Sequence, residues 1–159
     1  MSKFLCDRML GKLATWLRLF GYDTLYAGDI NIDYDEDYFL INEFRERILL
    51  TRDKELYKRA KDLRPVFLIK SDRLEEQLKE LKSLGIKFEL RMDRCSVCNG
   101  ILRKPTREEA LDVMRREGIR EDLMKRFELW YCERCKKLYW MGGHWRNMKK
   151  FLEEHGLDC

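Results

Sequence analysis

The residues predict an α/β fold with a mainly parallel sheet, followed by a smaller metal-binding segment. Three observations carry that expectation. Through residues 1–91, short apolar runs alternate with helix-like stretches. The central run, Arg47-Ile48-Leu49-Leu50-Thr51-Arg52-Asp53, stops abruptly on a hydroxyl, a base and an acid, as a buried parallel strand does where it meets a ligand crevice. Beyond it lie two C-x-x-C pairs, Cys95/Cys98 and Cys132/Cys135.

The elements follow in order. Lys3-Phe4-Leu5-Cys6-Asp7 has the form of the central run: apolar residues, then an acid, then a helical pattern. In the next segment Met9, Leu10, Leu13, Trp16, Leu17 and Phe20 share one helical face, and Gly21 supplies a left-handed cap. Thr24-Leu25-Tyr26-Ala27 reads as a second strand, closed by Gly28-Asp29. Asp35 is placed to cap a helix carrying Tyr38, Phe39, Ile41 and Phe44, with Asp37 in its first turn. After the central strand, Lys54 to Leu63 forms a short helix that Pro65 ends. Val66-Phe67-Leu68-Ile69 is a further buried strand, and Ser71 or Asp72 caps a helix bearing Leu74, Leu78, Leu81 and Leu84 up to Gly85. Ile86-Lys87-Phe88-Glu89-Leu90 alternates apolar and charged residues, as an edge strand does. The character changes at Arg91. The first C-x-x-C, with Asn99-Gly100 as its turn, precedes a charged helical insertion, Arg107 to Arg126. The second C-x-x-C leads into a strand at Leu138-Tyr139-Trp140. Gly142-Gly143 then breaks the chain before a basic helix, Trp145 to Glu154.

With 159 residues, 45% of them hydrophobic, the chain can bury one sizeable core or a compact domain plus a smaller one. No run approaches the roughly 18 apolar residues of a membrane span, and no signal-peptide pattern opens the sequence, so a cytoplasmic location without a membrane partner is expected. In that reducing setting paired cysteines indicate metal sooner than disulfides, and four thiolates suffice for a closed tetrahedral zinc site with no position open for chemistry. Redox chemistry at the C-x-x-C pairs is the competing reading. Cys6 reads as a small core residue, and Cys159 as a residue without a structural role. The formal charge of +4 overstates the basic character once such a site, at about −2, is counted. Its distribution is more telling. No Lys or Arg falls between Arg18 and Arg45, where Asp23, Asp29, Asp33, Asp35, Glu36, Asp37 and Glu43 lie, whereas bases crowd the chain after Cys98.

Asp7 and Asp53 both end buried parallel strands, where unpaired carboxylates are costly unless a cation or several donors satisfy them. Gathered at one crevice they suit Mg²⁺ or Mn²⁺, which activates water and stabilises phosphoryl charge. Glu55, at the start of the next helix, reaches either that metal or only the helix dipole. Tyr139, Trp140, His144, Trp145, Arg146, Lys149 and Lys150 form either a stacking and phosphate-binding surface or a small core with a solvated helix face. Arg8, Lys12 and Arg52, near the crevice, are candidates for phosphate contacts against a default of surface ion pairing.

Together these residues resemble the Mut-seven C-terminal ribonuclease domain family. The likeness rests on Asp7-Arg8-Met9-Leu10-Gly11-Lys12-Leu13-Ala14 with Trp16-Leu17-Arg18, on Gly21-Tyr22-Asp23-Thr24, and on Ile48-Leu49-Leu50-Thr51-Arg52-Asp53. It continues in Cys95-x-x-Cys98-Asn99-Gly100 and in Cys132-x-x-Cys135 with Tyr139-Trp140, Gly142, His144 and Trp145. The resemblance implies a PIN-like three-layer nuclease domain, here residues 1–91, joined to a zinc ribbon with a helical insertion and basic helical tail at 92–159. It implies RNA as partner and metal-dependent hydrolysis, with Asp7 and Asp53 as the strand-end acids, Asp35 or Asp37 as a helix-start acid and Glu55 as a further one. No small-molecule cofactor is expected. The competing classes are a non-catalytic RNA-binding or adaptor protein of the same fold and a protein-interaction module built on the cysteines. The acidic interval favours the enzyme, because a pure nucleic-acid binder gains nothing from carboxylates in its groove.

Overall fold

The computed structural model describes residues 1–158; Cys159 lies outside them. Four strands, β1 (Phe4–Cys6), β2 (Thr24–Tyr26), β3 (Ile48–Thr51) and β4 (Val66–Leu68), form a parallel sheet in the order β2-β1-β3-β4. Helices cover both faces, so the central strands are apolar throughout. Their two-residue period divides them: Phe4, Cys6 and Leu50 join the core beneath α1 (Gly11–Leu19) and α4 (Leu74–Glu80). Leu5 and Leu49 face the core of α2 (Glu36–Asn42) and α3 (Lys54–Ala60). The register Leu5↔Leu49, Cys6↔Leu50 brings the strands into line so that β1 and β3 end side by side.

The strand order also fixes where a ligand can enter. From β1 the chain crosses by α1 to β2 on one side, then returns past β1 to β3 and continues by α3 to β4 on the other. Adjacent crossovers therefore diverge at the β1/β3 pair. That is the topological switch point, where the loops part and leave a crevice beyond the strands' carboxyl ends.

Helix ends largely follow the expected chemistry. Gly21, at φ +89°, closes α1 with its amide donating to the Arg18 carbonyl and that of Tyr22 donating to the Leu17 carbonyl. Asp35 and Asp53 cap α2 and α3 through their side chains. Neither Ser71 nor Asp72 caps α4, which Arg73 precedes without a side-chain cap; Ser71 Oγ accepts only from the Arg73 amide. The Glu80 carboxylate reaches back instead to the amides of Lys70 and Ser71.

Ile86 to Leu90 is not a strand. Ile86 and Phe88 are buried and Lys87 and Glu89 exposed, as the alternation demands, but among the described residues no ladder partner lies beside them. The Lys87 amide donates instead to Tyr22 Oη, and that of Arg91 to the Leu19 carbonyl. The side-chain period was legible; the backbone partners were a tertiary matter.

The expected insertion is two helices, α5 (Arg107–Arg116) and α6 (Leu123–Arg126), parted at Gly118. A complete capping box, Thr106 with Glu109, starts α5. An antiparallel pair, β5 (Trp130–Cys132) and β6 (Lys137–Tyr139), follows, and α7 (Gly143–Glu154) begins two residues earlier than the glycine pair suggested. α7 returns to the first core: Leu152 and Leu157 are buried with Leu13, Leu17 and Leu78, and the Phe151 ring lies 5.2 Å from that of Trp16.

Arg64 is an internal brace that no motif announced. Its guanidinium is buried and donates to four carbonyls, those of Leu40, Glu43, Phe44 and Arg47, at 2.6–2.8 Å. These hold the turn from α2 into β3, where Phe44 adopts φ +53°. Arg64→Met should cost roughly 3 kcal/mol, because several carbonyls lose a charged donor together. Arg64→Lys should recover little of it, since an ammonium cannot span the four acceptors. Urea denaturation of the three proteins measures both.

Candidate active site and metal centre

Each C-x-x-C turns on a residue in the left-handed region just after its second cysteine, Asn99 at φ +71° and Lys136 at φ +51°. The two turns share their bonding. The amides of Asn99 and Lys136 donate to the carbonyls of Cys95 and Cys132, and those of Gly100 and Cys135 point at the sulfurs of Cys98 and Cys132. One pair precedes α5 and the other joins β5 to β6, so the helical insertion is excluded from the centre. The four sulfurs lie within 4.8 Å of one another, with Cys95–Cys135 at 3.8 Å and Cys98–Cys132 at 3.5 Å. Tetrahedral zinc with Zn–S bonds of about 2.3 Å needs sulfurs about 3.8 Å apart. The cluster fits a structural zinc ion. Tyr139 Oη sits 3.0 Å from Cys95 Sγ. Burial opposes the Cys95 thiolate, but the hydrogen bonds from Tyr139 and from the amides of Cys98 and Val97 outweigh it and bring the thiol down to about 7.

The first knuckle is fastened to the sheet. Arg18, on the buried face of α1, donates to the carbonyls of Thr24, Ser96 and Val97. Asn99 accepts from the Thr24 amide and donates to Asp23, whose carboxylate also meets Arg47 at 2.8 Å and Arg94 at 3.8 Å. Burial raises the Asp23 carboxyl, but the hydrogen bonds of Arg47 and Asn99, with the Arg47 and Arg94 charges, hold it below the ordinary carboxylate range. An acid depressed on folding stabilises the protein above its unfolded pKa, and that stability is lost as pH falls through the folded value. Asp23→Asn should therefore cost roughly 2 kcal/mol near pH 7 and progressively less in acid. Thermal melts across that range test the slope.

At the switch point the strand-end acids meet. Asp7 follows β1, is 5% exposed, and accepts from the Met9 amide and the Thr51 hydroxyl. Thr51 Oγ1 in turn accepts from the Asp53 amide, so one hydroxyl at the end of β3 joins both acid positions. Asp53 Oδ1 caps α3 through the amides of Glu55 and Leu56. Burial pushes the Asp7 carboxyl above its ordinary range; its three hydrogen bonds, from Thr51, Met9 and Arg52, do not cancel the rise, and the Asp53 charge adds to it. Asp37 is likewise raised, by burial and then by Asp53, against the nearby Arg59. Asp35 Oδ1 accepts from the amides of Asp37 and Tyr38. Among the described residues the four cysteines are the only group of three or more such ligands within 4.8 Å; the aspartates form no such group.

The remaining candidates are dispersed. Glu55 is 80% exposed and pairs with Lys58 at 3.6 Å, and Arg8 pairs with Glu36 at 2.8 Å. Lys12 is exposed, and Arg52 is half-buried with a buried Nε that lacks a partner. His144, Trp145, Arg146, Lys149 and Lys150 all lie on α7, with Trp145 half-buried and the others exposed. Cys6 is a buried core residue whose thiol burial pushes far up.

The model of the Mut7-C RNAse domain matches residues 2–152, nearly the whole chain. The chain belongs to the Mut7-C RNAse domain family. Neither the curated proteins nor the solved structures contain a match. Within this Mut7-C chain, the matched region spans both the sheet and the cysteine centre, in keeping with the Arg18 and Asn99 ties between them. Those ties were missed in the sequence, although Arg18 falls four residues after Ala14 on an otherwise buried helical face, a position where a base needs internal acceptors.

Proposed function

We propose that this Mut7-C chain is a PIN-like, metal-dependent ribonuclease that hydrolyses RNA phosphodiesters at the ends of β1 and β3, with a zinc ribbon assisting RNA binding. The family is by its description an RNAse domain, which supports RNA as substrate. The observation that carries the location is the electrostatic crowding at the switch point. Burial first, and then the Asp53 charge, raises the carboxyl groups of both Asp7 and Asp37, so two acids from different elements feel the same third one. Folding tolerates such crowding at a cost, and a divalent cation relieves it.

Oxygen donors of this kind suit Mg²⁺ or Mn²⁺. Asp7, Asp53 and Asp37 would hold the cation, and Asp35, whose Oδ1 caps α2 as that of Asp53 caps α3, is the alternative helix-start acid. When bound, the cation supplies an activated water and neutralises developing phosphoryl charge. The chain's own residues do the positioning. Thr51 orients the Asp7 carboxylate and the Asp53 backbone, and the capping bonds fix the Asp53 side chain. Lys12 and Arg52 stand near enough in sequence to these acids to meet substrate phosphates. Glu55 and Arg8, each in an exposed ion pair, contribute less. Single-stranded, structured and duplex RNA incubated with Mg²⁺ or Mn²⁺ should be cut in at least one class; a homogeneous preparation that cuts none would refute the enzyme and favour the RNA-binding reading.

A further inference from the structure

A pocket of about 280 Å³ opens where the C-terminal end of α1, the first knuckle, β6 and the start of α7 meet. Its walls are apolar and aromatic, with Leu19, Tyr139, Trp140, Trp145 and Met148 among them and His144 beside Trp145 on α7. That volume is at the low end of small-molecule sites, which run from about 300 Å³ upward. It admits one flat ring system and excludes a duplex.

The aromatic wall is built in. A Cβ added to Gly142 would come within 2.6 Å of Trp140 Nε1, so the bare backbone is what makes room for the indole beside the pocket. Tyr139, which also lines the pocket, has its hydroxyl 3.0 Å from Cys95 Sγ, which ties the pocket to the metal centre. Lys137 lines the pocket, and the chain to either side of it is basic. Between Arg134 and Glu153 the sequence holds Lys136, Lys137, Arg146, Lys149 and Lys150 and no acid, and these side chains are exposed. Gly143 and His144, in the first turn of α7, line the pocket, and Gly142 precedes that helix without a side-chain cap, so the positive end of the helix dipole lies at this edge.

An aromatic slot beside a cationic mouth has the chemistry of a nucleotide site, with a ring to stack and a phosphate to neutralise. We infer that this pocket receives one unpaired base of the RNA strand, stacked on Trp145 and Trp140, with its phosphate toward the start of α7. The inference rests on the RNA reading above and names its binding subsite, remote in sequence from the strand-end acids.

The test uses the full chain with its zinc and no added Mg²⁺ or Mn²⁺. A single-stranded RNA hexamer is titrated while the indole N–H signals of the four tryptophans are followed by NMR. Signals of Trp140 and Trp145 should shift and those of Trp16 and Trp130 stay. Trp145→Ala should weaken binding about tenfold, and Trp145→Phe, which keeps a ring, should restore most of it. A hexamer that binds without moving either indole, or that binds Trp145→Ala as tightly as wild type, overturns the pocket while leaving the nuclease intact. Equal shifts with the matching duplex overturn the unpaired base. An aromatic peptide that moves the two indoles where RNA does not would assign the pocket to a protein partner and overturn the proposal. Metal-dependent RNA cleavage by wild type, measured separately, tells failure of this subsite from failure of the ribonuclease reading.

Discussion

Asp53→Asn and Asp7→Asn should each lower metal-dependent RNA cleavage by on the order of 10³-fold, because the cation supplies several kcal/mol of transition-state stabilisation and either change removes a charge that holds it. RNA binding should survive or tighten, since a negative charge near the phosphates is lost. Stability should move the other way from activity. Asp7 is an acid whose carboxyl is raised on folding, first by burial, so its favourable contribution is present below the unfolded pKa and is lost as pH rises through the folded value. Near neutral pH the metal-free Asp7→Asn protein should therefore be at least as stable as wild type, an advantage that fades in acid. Thr51 can still bond to the amide, because a hydroxyl both donates and accepts. Added Mg²⁺ or Mn²⁺ should raise the melting temperature of wild type and leave that of either variant unchanged. Wild-type cleavage that persists in both variants would remove these acids from the active site; a variant that loses cleavage together with its fold would show that the acids are structural.

Loss of the zinc is expected to be as damaging to the fold as the aspartate changes are to the chemistry. Cys132→Ser or Cys95→Ser should reduce bound zinc from about one per chain to a small fraction, since a structural site rarely exists without its full set of thiolates. The cysteine segment cannot then loosen alone. Through Arg18 and Asn99 the first knuckle holds α1 and the start of β2, and through α7 the hairpin places Leu152 and Leu157 in the main core. A loss of roughly 5 kcal/mol, or a fall in melting temperature of about 10–20 °C, should thus be accompanied by weaker protection of the amides around Thr24. Elemental analysis, thermal melts and hydrogen exchange read the three effects. Zinc-free protein with unchanged melting and both cysteine pairs oxidised would instead make the centre a redox site.

Much of this was legible in local chemistry. Short apolar runs found β1 to β4, because a sheet covered by helices on both faces selects mainly apolar residues for its strands. Gly21 and Asp35 were readable as caps because a helix end has few ways to satisfy its amides and carbonyls. The paired cysteines were readable because thiolates at that spacing have few other uses. Other features depended on partners distant in the chain, which no local pattern encodes. Ile86 to Leu90 alternates like a strand and has no ladder among the described residues, since the Lys87 amide found Tyr22 Oη and the Arg91 amide just beyond it found the Leu19 carbonyl at the end of α1. Asp23, an unremarkable acid in sequence, gains its role only when folding brings Arg47, Arg94 and Asn99 to it. The neighbourhood of Asp7 and Asp53 is likewise set by strand order, because only the β1/β3 pairing places the two strand ends beside one hydroxyl. By itself the sequence determined which segments had to be buried and that the paired cysteines could bind metal, since both follow from residue type and spacing. Tertiary structure alone decided which buried ends meet, because burial sets how much surface a segment must hide and leaves open which neighbour hides it.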